Sequence, residues 1–253
     1  MAGTVISCAD GTPVPYPSVY LREGNRGVSG DSLGRFRLVY APAAPPANFM
    51  VISSLGFATD TVSVRRFLSG DRSVICLTPA PAALPEVSLT GKRLRRLRTL
   101  GNRSESRTIV TGWSVDPRSG AERGTLIKAG KNPRLLKRVN IHLARSTYDS
   151  LRVRVNLYAL HDKRPETEPL YAHYATVYLT EGWVGIPLGP DPLPLKDDVL
   201  LTLEIVEAWS KRDKNVLLLS AGLFTRGLYH REHRGQPWRR ARTGLSMTVT
   251  VWE

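Results

Sequence analysis

Along most of this chain hydrophobic and polar residues alternate, with the period of an extended strand rather than of a helix. In residues 30–38, GDSLGRFRL, Phe36 and Leu38 fall on one face and Arg35 and Arg37 on the other. Ahead of them, Asp31 is suited to accept hydrogen bonds from the amides that follow it, and Gly34 to take a positive φ. The stretch therefore predicts a turn feeding a strand. Similar segments recur through residues 3–78: GTVIS, SVYLR, RFRLVY, FMVISS, ATDTVSV and SVICLTP, separated by loops rich in Gly, Pro, Asp or Asn. Six or seven strands in so short a stretch predict a small all-β sandwich over residues 1–80, with no competing helical period.

Residues 81–106 change character. They begin rich in Pro and Ala and end basic, and read as a connector in which EVSLT is a candidate edge strand. RLRRLRTL is also open to reading as a short basic amphipathic turn of helix. From 107 to 253 the alternation returns on a larger scale. VNIHLAR turns Val139, Ile141 and Leu143 inward and Asn140 and His142 outward, while LRVRVNLY turns Leu151, Val153, Val155 and Leu157 inward and Arg152, Arg154 and Asn156 outward. DVLLTLEIV is apolar almost throughout, as in a strand buried on both faces. With RTIVTGW, GTLIKA, LYAHYATVYL, WVGIPL, VLLLSAG and LSMTVTVW, about nine strands result, which predicts a larger, jelly-roll-like β-sandwich.

Composition adds limits. The chain has 253 residues, 42% of them hydrophobic, enough for one large or two modest cores. No apolar run approaches the roughly 18–20 residues of a membrane-spanning helix. MAGTVISCADGTP has neither a basic nor an apolar leader region, so the chain reads as cytosolic or as one whose leader has been removed. Cys8 and Cys76 are too few for a disulfide scaffold and lack metal or redox spacing. Two buried free thiols are the first expectation and one structural bridge the second.

The net charge of +14 has two addresses: residues 92–103 carry +6 and residues 226–242 carry +5, leaving about +3 for the rest.

The order of strands in the first 80 residues, with Asp31, Gly34, Phe36 and Leu38 in one turn and Ser53, Gly56 and Phe57 in the next, resembles the carboxypeptidase-like regulatory domain. That family implies a transthyretin-like Greek-key sandwich in which the Asp-Gly-Phe turn is architectural. LPEVSLTGKR looks like the segment that follows such a domain in TonB-dependent outer-membrane receptors, but the remaining residues are too few for a 22-stranded receptor barrel. The stretch with Gly120, Glu122, Gly124, Leu126 and Ile127 instead resembles the second half of small two-domain envelope proteins. The resemblance implies export with the signal removed, to the cell envelope or outside it, and no activity.

Catalytic patterns are missing. Of the five histidines, His230 and His233 lie in HREH, which is neither HExxH nor HxxEH, and adjacent arginines repel a cation. The segment reads as solvated loop, His142 as an ordinary surface histidine, and no metal or cofactor is expected. GxSxG spacing occurs in GDSLG, residues 30–34, but there it feeds a strand, so no nucleophile elbow is read, and P-loop and dinucleotide motifs are absent. Glu204 and Glu207, three apart on a strand, are expected on opposite faces, and Glu122 is expected to brace a turn. Of the aromatics, Tyr174 and Tyr178 share a phase with expected core residues, and Trp113, Trp183, Trp209 and Trp252 read as sandwich core. Trp238, in QPWRRAR, reads as loop.

The expected function is thus non-enzymatic: an envelope-associated interaction or scaffold protein that meets an anionic glycan, lipid headgroup or acidic protein. The expected contacts are Lys92, Arg93, Arg95, Arg96, Arg98, Arg231, Arg234, Trp238, Arg239, Arg240 and Arg242. The alternative is a carbohydrate-binding module using Trp and Tyr of the second domain, and the next a hydrolase there. Nucleic acid is not an expected partner, since the chain carries no recognised nucleic-acid motif.

Overall fold

The computed structural model describes the chain apart from residues 24–25, 41–47, 71–72, 81–95, 114, 131–133, 190–192 and 224–226. Its architecture is all-β, built from two-sheet sandwiches in two compact units. The first comprises Met1–Ala83 with two short stretches from later in the chain, Asp116–Glu122 and Arg231–Pro237. The second comprises Leu84–Val115, Arg123–His230 and Trp238–Glu253. Those two borrowed stretches mark a difference from the expected division into 1–80 and 107–253.

In the first unit the strands are β1 (Ala2–Ser7), β2 (Ser18–Leu21), β3 (Gly27–Ser29), β4 (Arg35–Arg37), β5 (Phe49–Ser53), β6 (Asp60–Ser63) and β7 (Val74–Leu77). One sheet runs β4-β1-β7 and the other β3-β2-β5-β6. Between them pack Val5, Phe36, Ile75 and Leu77 from one side and Val19, Leu21, Met50 and Ile52 from the other. The Asp31 turn forms as expected. The Asp31 carboxylate accepts from the amides of Leu33 and Arg35 at 2.9 Å, and Gly34 sits at φ +73°, where a Cβ would collide with the Val5 carbonyl.

Two local features escaped the alternation. Residues 27–29, expected as loop, pair with β2. Helix α1 (Val64–Leu68) follows β6, since Val64 and Phe67, three apart, bury on one side while Arg65 and Arg66 stay in water. Cys8 and Cys76 form a disulfide with Cα atoms 4.9 Å apart, so the expectation of buried free thiols is corrected. Both cysteines are exposed. The parallel register that sets Ile6 beside Cys76 brings the ends of β1 and β7 together.

The outer side of the four-stranded sheet carries Ser18, Ser29 and Ser53, all buried. The borrowed stretches reach these serines: the Ser29 amide donates to the Arg118 carbonyl at 2.9 Å and Arg234 Nη1 reaches Ser53 Oγ at 3.4 Å. Glu122 and Arg231 pair there at 0% and 1% exposure.

The second unit holds β8 (Leu97–Gly101), β9 (Val110–Gly112), β10 (Glu122–Ile127), β11 (Arg134–Ser146), β12 (Ser150–His161), β13 (Arg164–Pro165), β14 (Tyr171–Tyr178) and β15 (Gly182–Pro187). It continues with β16 (Leu193–Leu195), β17 (Val199–Trp209), β18 (Leu217–Gly222), β19 (Leu228–Arg231), β20 (Arg239–Ala241), β21 (Gly244–Leu245) and β22 (Met247–Trp252). The last residue of β19 and the first of β10 are those counted with the first unit.

A seven-stranded sheet runs β13-β12-β17-β10-β19-β20, with β14 on β12. An eight-stranded sheet runs β21-β18-β11-β22-β8, with β15 and β16 on β11 and β9 on β18. Their inner faces form one core, in which Val139, Ile141 and Leu143 of β11 join Val153, Val155 and Leu157 of β12. β17 is buried along nearly its whole length, as its apolar run predicts. Residues 97–101, expected within the connector, form β8, an edge strand paired along β22, which satisfies its backbone and brings Leu100 against the core. The candidate strand EVSLT lies outside the described residues.

Candidate functional site

The structure describes part of the expected basic stretches. Lys92, Arg93 and Arg95 lie outside the described residues. Arg96 is exposed beside β8, and Arg98 bonds to Glu253 at 3.1 Å. Arg231 is corrected from surface cation to buried partner of Glu122: its Nε and Nη2 donate to Oε1 at 3.0 and 2.5 Å, and its Nη1 to the Arg234 carbonyl at 2.9 Å. Arg234 is buried as well, at 4% exposure, and His233 at 5%, so HREH is no solvated loop. Glu122 braces this pair rather than a turn.

Arg239, Arg240 and Arg242 remain exposed, with the Arg240 guanidinium over the Tyr229 ring at 5.7 Å. Trp238 is half-buried, edge-on to Tyr158 at 5.3 Å, with its indole N–H toward the Glu166 carbonyl at 3.5 Å. It lies in loop just ahead of β20, as expected, and is packed against Tyr158.

The carboxylate pair also differs from expectation. A bulge in β17 shifts the register between Arg152 and Val153, so Glu207 lies opposite Arg152 and Glu204 opposite Arg154. Both acids thereby come to one face. Glu204, 1% exposed, is held by Arg154 at 2.5 Å, which also reaches the Tyr174 hydroxyl at 3.2 Å. The Glu204 charge keeps the Arg154 pKa well above its ordinary value although burial opposes it.

The core side of β14 is made by Ala175 and Val177, which reverses the expected phase: Tyr178 is 78% exposed. Across β12 its counterpart is Trp209, 43% exposed, with Ser150 between them.

A more developed arrangement occupies the outer face of the eight-stranded sheet. There β15, β11, β22 and β8 lie side by side in fixed register: Trp183 opposite His142, Gly185 opposite Asn140, Asn140 opposite Thr248, and Thr250 opposite Thr99. Since Val184 and Ile186 point into the core, Trp183, Gly185 and Pro187 point out. The face holds a recess of about 310 Å³ lined by Thr99, Arg103, Glu105, Arg138, Asn140, Trp183, Thr248 and Thr250. Every lining residue but the tryptophan is polar.

Trp183 is 38% exposed yet firmly positioned. Its indole N–H donates to the Glu105 carboxylate at 2.6 Å, and the His142 ring meets it edge-to-face at 5.1 Å. His142 is 7% exposed rather than an open surface residue, and its Nδ1 is hydrogen-bonded to Ser220 Oγ at 2.8 Å. Glu105 rides on a segment pinned to the sheet: Asn102 donates to the Gly244 and Leu245 carbonyls, and Ser104 to the Ala221 carbonyl at 2.8 Å.

On the floor, the Asn140 amide group donates to the hydroxyls of Thr248 and Thr250, each at 3.2 Å. Its Oδ1 accepts from no described group, and the two threonine hydroxyls keep their own protons to give. Arg103 spends one N–H on the Thr99 carbonyl at 2.9 Å.

Trp183 stood among the tryptophans read as core. The signal was present in WVGIP, where Val184 and Ile186 alternate against Trp183. It becomes readable only once Arg138, Asn140 and His142 are known to lie on the adjacent strand.

Comparison with protein-family models and with curated proteins returns no match. Among solved structures, the cysteine protease and lectin-like domains of Cwp84, a surface layer associated protein of Clostridium difficile, are similar at 8% identity and a TM-score of 0.40. The likeness covers 53% of this chain and 32% of that one, so the matched part spans about a third of that protein.

Proposed function

We propose that this protein binds saccharides, through the outer face of the eight-stranded sheet, and that it does so without catalysis. The observation that carries the reading is Trp183: a partly exposed indole, fixed by Glu105 and His142, at the wall of a polar recess. A sugar ring offers C–H bonds to an aromatic face and hydroxyls around its edge. Trp183 supplies the first surface, and Asn140 Oδ1 with the Thr248 and Thr250 hydroxyls the complementary acceptor and donors. A pre-positioned aromatic costs little entropy on binding.

The exposed disulfide supports a protein of an oxidising compartment, in keeping with export to the envelope. The two-sheet, seven-strand architecture of the first unit supports the kinship with transthyretin-like regulatory domains. In this reading the first unit is a structural module and the second carries the site.

The test is a glycan array followed by titration of the strongest ligands. Wild type binds at least one saccharide class, and Trp183→Ala weakens that binding at least tenfold while keeping the wild-type circular dichroism. Neutralising Arg239, Arg240 and Arg242 together leaves it within about twofold. An array without hits, or hits indifferent to Trp183, overturns the proposal.

A further inference from the structure

We infer that the saccharide recognised at this face is acidic, a sugar bearing a carboxylate, and that Arg138 reads the acid. The inference rests on the saccharide-binding reading above and names the class of ligand within it.

Three observations support it. First, Arg138 is exposed on the outward phase of β11, and its side chain makes no hydrogen bond or ion pair with any described residue. Its guanidinium is thus left with its donors open in the recess it lines. Second, the neighbouring strand makes room for it. Gly185 carries no side chain, and a Cβ there would lie 2.9 Å from Arg138 Cδ and 3.2 Å from its Nε. Arg138 therefore lies across Gly185, next along β15 from Trp183, within reach of a ring seated on the indole. Third, the charges in the recess do not cancel. Arg103 and Arg138 face one acid, Glu105, and that carboxylate already accepts the Trp183 indole N–H.

A planar guanidinium with open N–H groups matches a carboxylate through two parallel bonds, which an ammonium cannot reproduce. A neutral sugar offers this group hydroxyl acceptors but no opposite charge. An acidic one satisfies it while its ring covers Trp183.

The experiment uses the full chain and a set of oligouronates, oligogalacturonate first, each compared with its methyl-esterified form. Esterification removes the charge and keeps the ring and hydroxyls. Binding is followed by tryptophan fluorescence and calorimetry at low and high salt. The free acid is expected to bind at least tenfold more tightly than the ester, with the ratio shrinking as salt rises.

Arg138→Gln should bring acid and ester to within about twofold of each other without abolishing binding, and Arg138→Lys should restore only part of the preference. Gly185→Val, which leaves Arg138 in the chain but displaces it, should reduce the preference likewise. Because the Arg138 side chain has no hydrogen-bond or ion-pair partner among the described residues, its variants should melt as wild type does.

If acid and ester bind alike, or if Arg138→Gln keeps the discrimination, the inference is overturned while the saccharide reading stands. If no saccharide, neutral or acidic, binds in a manner dependent on Trp183, the reading itself falls and the inference with it. A single-stranded oligonucleotide that displaces the oligouronate and binds more tightly would identify a phosphate-bearing ligand instead, and would overturn both.

Discussion

Arg231 separates two accounts of this protein most sharply. As a surface cation it would contribute to ligand binding and little to stability; as the buried partner of Glu122 it does the reverse. The pair is 1% and 0% exposed, joined by two hydrogen bonds at 3.0 and 2.5 Å. At an effective dielectric of about 20 and a charge separation of ~4 Å the attraction is roughly 4 kcal/mol. Taking both ions out of water costs a comparable amount, so the intact pair contributes little net. Removing one partner leaves the other charge buried alone, which costs about 3–5 kcal/mol.

Arg231→Met and Glu122→Gln should therefore each destabilise by that amount. The double substitution Glu122→Leu with Arg231→Met should recover most of the loss, retaining about 1 kcal/mol for the lost bond to the Arg234 carbonyl. Urea unfolding followed by far-ultraviolet circular dichroism measures these values. Hydrogen exchange at the amides of β2, β3 and β5 reports on the unit that holds the pair. Single variants costing less than about 1 kcal/mol, or a double variant as unstable as the sum of the singles, would refute the reasoning. Saccharide binding by Arg231→Met, measured below its unfolding transition, should equal that of wild type.

Other consequences are open to direct measurement. The Cys8–Cys76 bridge closes a separation of 68 residues, so Cys8→Ser with Cys76→Ser should cost the first unit about 2–4 kcal/mol in urea unfolding. Burial holds the His173 pKa below its ordinary 6.5. The unfolded chain therefore takes up this proton first, and stability falls as pH drops through about 6.5 toward the folded value. A histidine-resolved NMR titration should place His173 below 6.5, and His173→Gln should flatten that part of the stability profile; a value at or above 6.5 would contradict it. Glu105→Gln keeps an acceptor for the Trp183 indole and should hold binding within a few-fold, whereas Glu105→Leu should weaken it further by releasing the ring. Equal affinities for the two variants would show that the hydrogen bond does not position Trp183.

The alternation of apolar residues determined much of this protein by itself. β11, β12 and β17 are legible because each buried face must be apolar whichever strands lie beside it, and the turn at Asp31 and Gly34 is a matter of local backbone chemistry. What the tertiary structure alone decided is everything that depends on partners. A bulge in β17, set by its pairing with β12, brings Glu204 and Glu207 to the same face against their spacing in the chain. Residues 116–122 and 231–237, distant in sequence from the first sandwich, belong to its unit, so an arginine-rich stretch that reads as solvated supplies the arginine of a sealed ion pair with Glu122. The recess proposed as the binding site combines Trp183, Arg138, Asn140, Thr248 and Glu105 from strands and a segment far apart along the chain. Period two tells which way a side chain points, whereas register across strands tells what it meets, and only the folded sheet sets that register.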